Sequence, residues 1–274
     1  MRRGRTRASP RSPVALVTGA SSGIGAAAAR LLAGRGFRTF GTSRREAPPE
    51  PGIEWIRLDV TDEAAVGAGV RDVLGRAGRI DALVCAAGYG IFGSVEETSL
   101  ARARAQLETN LFGVLSVVRA VLPGMRERGC GRIVVVGSLA GRAPIPFQAH
   151  YSASKAALDA LVLALRNELH GAGVWASLVE PGDIRTAFND RTDWGETKAS
   201  AYGDRLRRCE AVIRQSLPMA PGPEVVAEAI HRALTARRPR VRYAVGPDSI
   251  GVPLGRRFLP DRWALALIRR HFNV

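Results

Sequence analysis

Lysine is nearly missing from this chain: of its 40 cationic residues only Lys155 and Lys198 are lysines. Where arginine is the default cation, a lysine marks a place that needs a compact ammonium on a flexible stem. Cysteine is scarce as well, and Cys85, Cys130 and Cys209 form no CxxC pair. An odd number of distant cysteines suits free thiols in a reducing compartment, and the chain is expected in the cytoplasm. The histidines are scattered without metal-ligand spacing, so nothing recruits a metal. No apolar run reaches membrane-spanning length, and the first residues lack the apolar core of a secretory signal. Stable membrane insertion is therefore not expected. Internal repeats are absent, and low complexity is confined to the N-terminal tail.

What is abundant is positive charge, a formal +15 over 274 residues. Such a balance invites a nucleic-acid partner, because basic proteins bind phosphate backbones through counterion release. The distribution argues against it. Arg2, Arg3, Arg5, Arg7 and Arg11 crowd the N-terminus, and most others fall singly among acids, as in Arg71-Asp72 and Arg166-Asn167-Glu168. Residues 1–12 are expected to be a basic disordered tail and 13–274 a single domain.

Residues 14–18 form a β-branched run followed by glycines, and 24–32 read as an alanine-rich helix. Further strands are expected at 37–43, 53–58, 82–85, 133–136 and 174–179, the last stopped by Pro181-Gly182. Helices are expected at 62–74 with Asp62 as N-cap, at 99–128 with Pro123-Gly124 disturbing the end, and at 151–170. Residues 183–222 turn polar and irregular around Trp194 and Tyr202, as a segment covering a site does. A helix at 224–237, a strand at 241–245 and an amphipathic helix at 261–271 capped by Asp261 complete the pattern. The alternation implies a doubly wound α/β fold, a parallel sheet with helices on both faces.

Thr18-Gly19-Ala20-Ser21-Ser22-Gly23-Ile24-Gly25 lies between the first strand and the first helix. Glycines there let backbone approach a pyrophosphate, which the free N–H groups and positive dipole end of the helix attract. Tyr151 and Lys155, four apart on a helix, share one face. A free phenol, with a pKa near 10, is a sluggish acid at neutral pH, and a nearby ammonium is expected to lower it. Ser138 ends the fifth strand, where open α/β sheets hold ligands.

TGASSGIG resembles the nucleotide-binding signature of the short-chain dehydrogenase/reductases. The resemblance continues through Asp59, the Ala86-Ala87-Gly88 stretch, Asn110, Ser138, Tyr151, Lys155 and Pro181-Gly182, covers residues 14–186, and is only general beyond them. It implies a Rossmann-type sheet of about seven strands in the order 3-2-1-4-5-6-7. It implies a nicotinamide cofactor held by Gly19, Ser21, Ser22, Gly23, Ile24 and Gly25, with Asp59 and Val60 near the adenine. The plainer reading of Asp59 is a strand-end turn. Ser43-Arg44-Arg45 stands where arginine favours the 2′-phosphate of NADP(H) and an acid favours NAD(H). NADP(H) is therefore preferred, with Glu46 the contrary residue. The family's Asn-Asn-Ala-Gly is here Cys85-Ala86-Ala87-Gly88, which removes two amides but keeps the close backbone approach at Ala87 and Gly88. Pro181, Gly182, Ile184 and Thr186 resemble the PGxxxT segment that anchors the carboxamide.

The resemblance makes Asn110, Ser138, Tyr151 and Lys155 the catalytic set. Tyr151 gives a proton to a carbonyl oxygen as hydride reaches the carbon, and Ser138 orients that oxygen. Lys155 also holds the nicotinamide ribose, and Asn110 supports a water relay. Asparagine inside a long helix competes with backbone bonding, so a kink is expected there. Tyr89, Ile91 and Phe92 on one side and Leu139, Ile145, Pro146 and Phe147 on the other are expected to make the pocket apolar. VCAAGYGIFGSVEE and GRAPIPFQAHYSASKAAL most resemble the hydroxysteroid dehydrogenase and ketoreductase branch, implying a hydrophobic ketone or secondary alcohol as small-molecule substrate. A homodimer or homotetramer is implied as well, with Ala153, Ala156, Ala157, Ala160 and Ala164 permitting close helix pairing. The alternatives are a catalytically silent NADP(H)-sensing protein and a basic nucleic-acid binder. The terminal arginine-flanked helix packs on its own domain or a partner, or lies on a membrane surface.

Overall fold

The computed structural model describes residues 12–186, 188, 192–195, 200–246 and 248–274. The arginines of the expected tail and Lys198 lie outside the described residues. The strands β1 (Val14–Thr18), β2 (Arg38–Ser43), β3 (Ile53–Arg57), β4 (Ala82–Cys85), β5 (Gly131–Val136), β6 (Val174–Pro181) and β7 (Arg242–Val245) form one sheet. All pair in parallel, in the order β3-β2-β1-β4-β5-β6-β7, which is the expected topology. Connections diverge on either side of the β1–β4 pair, so a crevice opens past their C-terminal ends.

Both faces of the sheet are buried, which is why the strands read as near-continuous apolar runs. Leu16, Leu83, Ile133 and Leu178 face one core, filled by Val66 and Val70 of α2 (Glu63–Ala77), Val117 of α4 (Gly113–Glu127) and Leu158 of α5 (Ala149–Glu168). Ala15, Val17, Val84, Val134 and Val179 face the other, filled from α1 (Gly23–Gly34) and α7 (Glu224–Thr235). There Ala28, Ala29, Ala229 and Ala233 are at most 1% exposed, and their small side chains let the two helices lie close together. Burying each Leu, Ile or Val contributes about 1.5–3 kcal/mol. The sheet thus carries the stability and leaves the loops at its C-terminal edge free to bear a site.

Local signals set several boundaries. Asp62 Oδ1 accepts from Ala65 N–H at 3.0 Å, making Asp62 the N-cap expected for α2, and Gly78 ends that helix in the left-handed region. The long helix expected at 99–128 is instead three pieces: α3 (Leu100–Leu107), a widened turn at Glu108–Phe112, and α4. In the turn the Gly113 N–H reaches back to the Glu108 carbonyl, and Asn110 lies inside it, where the kink was expected. The disturbance expected at Pro123 does not occur, and α4 runs through it to Glu127. Arg119, whose carbonyl loses that proline's N–H, is exposed, so water can replace the missing donor.

The polar stretch holds a helix that the sequence pattern hid. In α6 (Gly203–Ser216) only Leu206 and Cys209 are buried, and arginines cover the outside. Leu206, Cys209 and Phe92 form a small third core with Phe147, Trp194 and Tyr202, the Phe92 and Trp194 rings 5.1 Å apart. An unexpected α8 (Asp248–Phe258) runs through Pro253, and α9 (Asp261–Phe272) begins one residue after its N-cap, which is Pro260 rather than Asp261. Arg166 is no solvated partner of Glu168: it donates to the carbonyls of Ala176 (2.8 Å) and Pro239 (2.6 Å) and lies over Trp175.

Candidate active site

One cleft of about 1010 Å³ runs along the C-terminal edge of the sheet. Of the residues singled out from the sequence, Gly19, Ser21, Ser22, Gly23, Ile24, Gly25, Ser43, Arg44, Asp59, Val60, Ala87, Gly88, Ser138, Tyr151, Lys155, Pro181, Gly182, Ile184 and Thr186 all line it. Asn110 does not.

The glycine turn forms the floor. Gly19 and Gly23 have φ of +66° and +54°, a region that side chains disfavour. A Cβ on Gly25 would sit 2.3 Å from the Gly19 carbonyl oxygen, and one on Gly19 would sit 2.8 Å from Ala87 Cα. No acidic residue occupies the first turn of α1 and Ser22 gives no side-chain cap. The first N–H groups of the helix therefore stay available to an anion. A phosphate-bearing dinucleotide fits this cradle, whose close main-chain approaches at Gly19 and Gly25 leave no room for a Cβ.

The loop after β4 is pinned from both sides. Thr18 Oγ1 accepts from the N–H groups of Ala86 (3.2 Å) and Ala87 (3.4 Å), which holds the loop where the family's amides are missing. Asn110 is fully buried behind Gly88. Its Oδ1 accepts from Tyr89 N–H at 3.1 Å, and its Nδ2 donates to the Tyr89 carbonyl and to Ser154 Oγ. Asp59 is both a turn former, accepting from Thr61 N–H and Oγ1, and part of the wall.

Tyr151 is 9% exposed, and Ser138 stands beside its hydroxyl in the wall of the cleft, its own Oγ accepting from the Ala140 N–H at 3.1 Å. Burial pushes the phenol up to about 12, against the Ser138 side chain that pulls it down, and the Asp183 carboxylate adds to the rise. Lys155 Nζ lies 5.7 Å from the centre of the Tyr151 ring and donates to the Val136 carbonyl at 2.9 Å. Burial brings that ammonium down to about 8. The expected lowering of the phenol is therefore reversed in this structure, because desolvation outweighs the neighbouring polar groups.

Arg44 and Arg45 stand exposed on the lip of the cleft, and neither guanidinium pairs with a carboxylate among the described residues. Glu46 lies off the wall. On the other side, Asp183 accepts from Ser216 Oγ at 2.7 Å and Arg185 N–H bonds the Pro221 carbonyl, tying the Pro181-Gly182 segment to the end of α6.

The far wall differs from the expected one. Leu139, Ile145 and Tyr89 line the cleft, but Ile91, Phe92, Pro146 and Phe147 do not. Ile91 and Phe92 are 2% and 0% exposed, and Phe92 is turned into the third core. Phe188 takes their place, its ring 5.6 Å from that of Tyr151, with Val212 and Ile213 of α6, Leu259 after α8, and Leu267, Ile268 and Phe272 of α9. The spacing of Leu267 and Ile268 marked an apolar face on α9; nothing in the sequence said what it would cover.

Fold and cleft together define an α/β protein of the dinucleotide-fold class, with a tyrosine, a serine and a lysine gathered beside the crevice. The family model for short chain dehydrogenase matches residues 13–196. The 3-ketodihydrosphingosine reductase of Bacteroides thetaiotaomicron is 34% identical over 95% of this chain and 98% of its own. The human 17-beta-hydroxysteroid dehydrogenase type 1 is 36% identical over 84% of this chain and 76% of its own. A crystal structure of a short-chain dehydrogenase from Streptomyces avermitilis superposes with a TM-score of 0.80 at 34% identity, covering 95% of this chain and 96% of that one. The chain belongs to the short-chain dehydrogenase family of oxidoreductases.

Proposed function

We propose that the protein moves a hydride between NADP(H) and the carbonyl or secondary-alcohol carbon of a hydrophobic small molecule. The reading rests on one observation above all: a buried Tyr151, one helical turn from Lys155, shares a cleft with Ser138 and the glycine cradle. When bound, the cofactor supplies the hydride donor or acceptor; the proton and the orientation fall to the chain.

A phenol held near 12 stays protonated at neutral pH, ready to give its proton to a carbonyl oxygen. Ser138 steadies both that oxygen and the phenolate left behind. Lys155, still mostly charged at neutral pH, places a cation beside the phenolate and offers N–H to a ribose hydroxyl. Asn110 acts by fixing the Gly88-Tyr89 backbone. Arg44 and Arg45 on the lip, with Glu46 off the wall, favour a 2′-phosphate and so NADP(H) over NAD(H). The apolar far wall and relatives named for a 3-keto and a 17-beta-hydroxy compound support a ketone or secondary alcohol.

A screen of carbonyl compounds following NADPH absorbance, with NADH in parallel, tests this. Oxidation of NADPH by at least one hydrophobic ketone is expected, and no turnover with either cofactor would refute it. Exposed Ala153, Ala156, Ala160 and Ala164 on α5 suit close pairing in a homo-oligomer, and a purely monomeric mass by light scattering would reject that assignment. Residues 13–274 act as one domain in this reading. The free thiols Cys85, Cys130 and Cys209 suit the cytoplasm.

A further inference from the structure

The apolar wall of the cleft continues onto the outside of the molecule. Val252, Leu259 and Leu267 line the cleft, yet they are 39%, 38% and 54% exposed, so its mouth is itself apolar. Beside it Phe258, Trp263 and Leu265 line no part of the cleft and are 76%, 57% and 52% exposed. A soluble monomer rarely groups so many large apolar side chains on its surface. They do not seat the helix: α9 packs through Ala264, with Ile268 and Phe272 half-buried on the same face.

Charge around this rim leans positive: among the described side chains from 248 to 274, Arg262, Arg269 and Arg270 stand against Asp248 and Asp261. Arg262, Arg269 and Arg270 are exposed, and the Arg262 guanidinium lies 5.5 Å from the centre of the Trp263 ring. Aromatic and aliphatic side chains interleaved with arginine are what settles at the headgroup boundary of an anionic bilayer. Among the described residues no helix is long and apolar enough to cross a membrane. A two-fold contact with a second copy through this face would instead bring two arginine-bearing rims together and cover the mouth of the cleft.

We propose that the α8–α9 face docks on an anionic lipid surface and that the cleft takes its substrate from there, a long-chain amphiphile with a ketone or secondary alcohol whose tail runs out past Val252, Leu259 and Leu267. The substrate half rests on the oxidoreductase reading above; the docking half does not.

The test sediments the full chain with phosphatidylcholine vesicles containing about 30% phosphatidylglycerol, and with phosphatidylcholine alone. Binding is expected only to the anionic vesicles, with release at about 0.5 M salt. F258S/W263S/L265S should lower that binding at least about 10-fold while leaving turnover of a short, water-soluble ketone in vesicle-free buffer within about twofold. With straight-chain ketones, KM should fall about threefold per added methylene. No binding to anionic vesicles, or binding untouched by the triple substitution, overturns the docking. Light scattering in which the triple substitution breaks up an oligomer of the unsubstituted chain also overturns it, by giving the face to a second copy. Vesicle binding without turnover of any ketone would overturn the substrate assignment together with the oxidoreductase reading and leave the docking standing.

Discussion

At one end of the cleft the wall is backbone. Gly19 and Gly25 bring main chain against main chain so closely that a single added carbon would collide, and Thr18 and Asn110 pin the adjoining loop. At the other end the wall is side chain, contributed by α6, α8 and α9 from parts of the sequence far from the sheet's first strands, and several of its residues are half exposed. A backbone wall offers the same groups whatever the neighbouring side chains are, so it suits a constant ligand. A side-chain wall changes with each substitution, so it suits the variable one.

Removing the Tyr151 hydroxyl should have the largest effect. Tyr151→Phe is expected to lower kcat about 10³-fold, with NADPH affinity by fluorescence titration nearly unchanged. If turnover survives, the division between a holding end and a reacting centre is wrong. Next comes Gly25→Ala, which forces a Cβ against the Gly19 carbonyl and should cost about 1–3 kcal/mol of stability, read as a lowered Tm together with weakened NADPH binding. An unchanged Tm would mean the backbone wall is not as rigid as its spacing says.

Arg44→Ala should raise KM for NADPH about 10- to 100-fold and leave KM for NADH nearly unchanged, which steady-state kinetics with both cofactors decides. The pH profile sharpens the centre. Lys155 with a pKa of about 8 loses its charge as pH rises through that value, so reduction should be level between about pH 6 and 7.5 and then decline. A rate that stays level to pH 10 would remove Lys155 from the chemistry. The smallest effect belongs to the side-chain wall: Ile213→Ala should raise KM for a bulky ketone about threefold to tenfold without altering NADPH affinity, and an equal loss in both would erase the contrast between the two ends.

Much of the first end was legible in the residues. The run from Thr18 to Gly25, the cap at Asp62 and the interruption at Asn110 are all local matters of φ, spacing and hydrogen-bonding competition. The second end was not. Ile91 and Phe92 look like pocket residues by type and position, but Ile91 is buried away from the cleft and Leu206 and Cys209 of α6 offer Phe92 an apolar core to turn into. Helix α6 itself stayed hidden because it buries little else, so arginine dominates its pattern.

The electrostatics of the centre followed the same division. Four-residue spacing places Tyr151 and Lys155 on one helix face, and that much needs only helix geometry. The phenol's rise to about 12 depends on how completely the surrounding elements exclude water, which no spacing records. Short-range geometry in the sequence therefore determined the glycine turn and the alternation of strands and helices, while the strand order and the residues brought to the crevice were carried by the family resemblance. Only the tertiary structure decided which apolar residues wall the cleft and which way the tyrosine's acidity moves, because burial is a property of the whole packed chain.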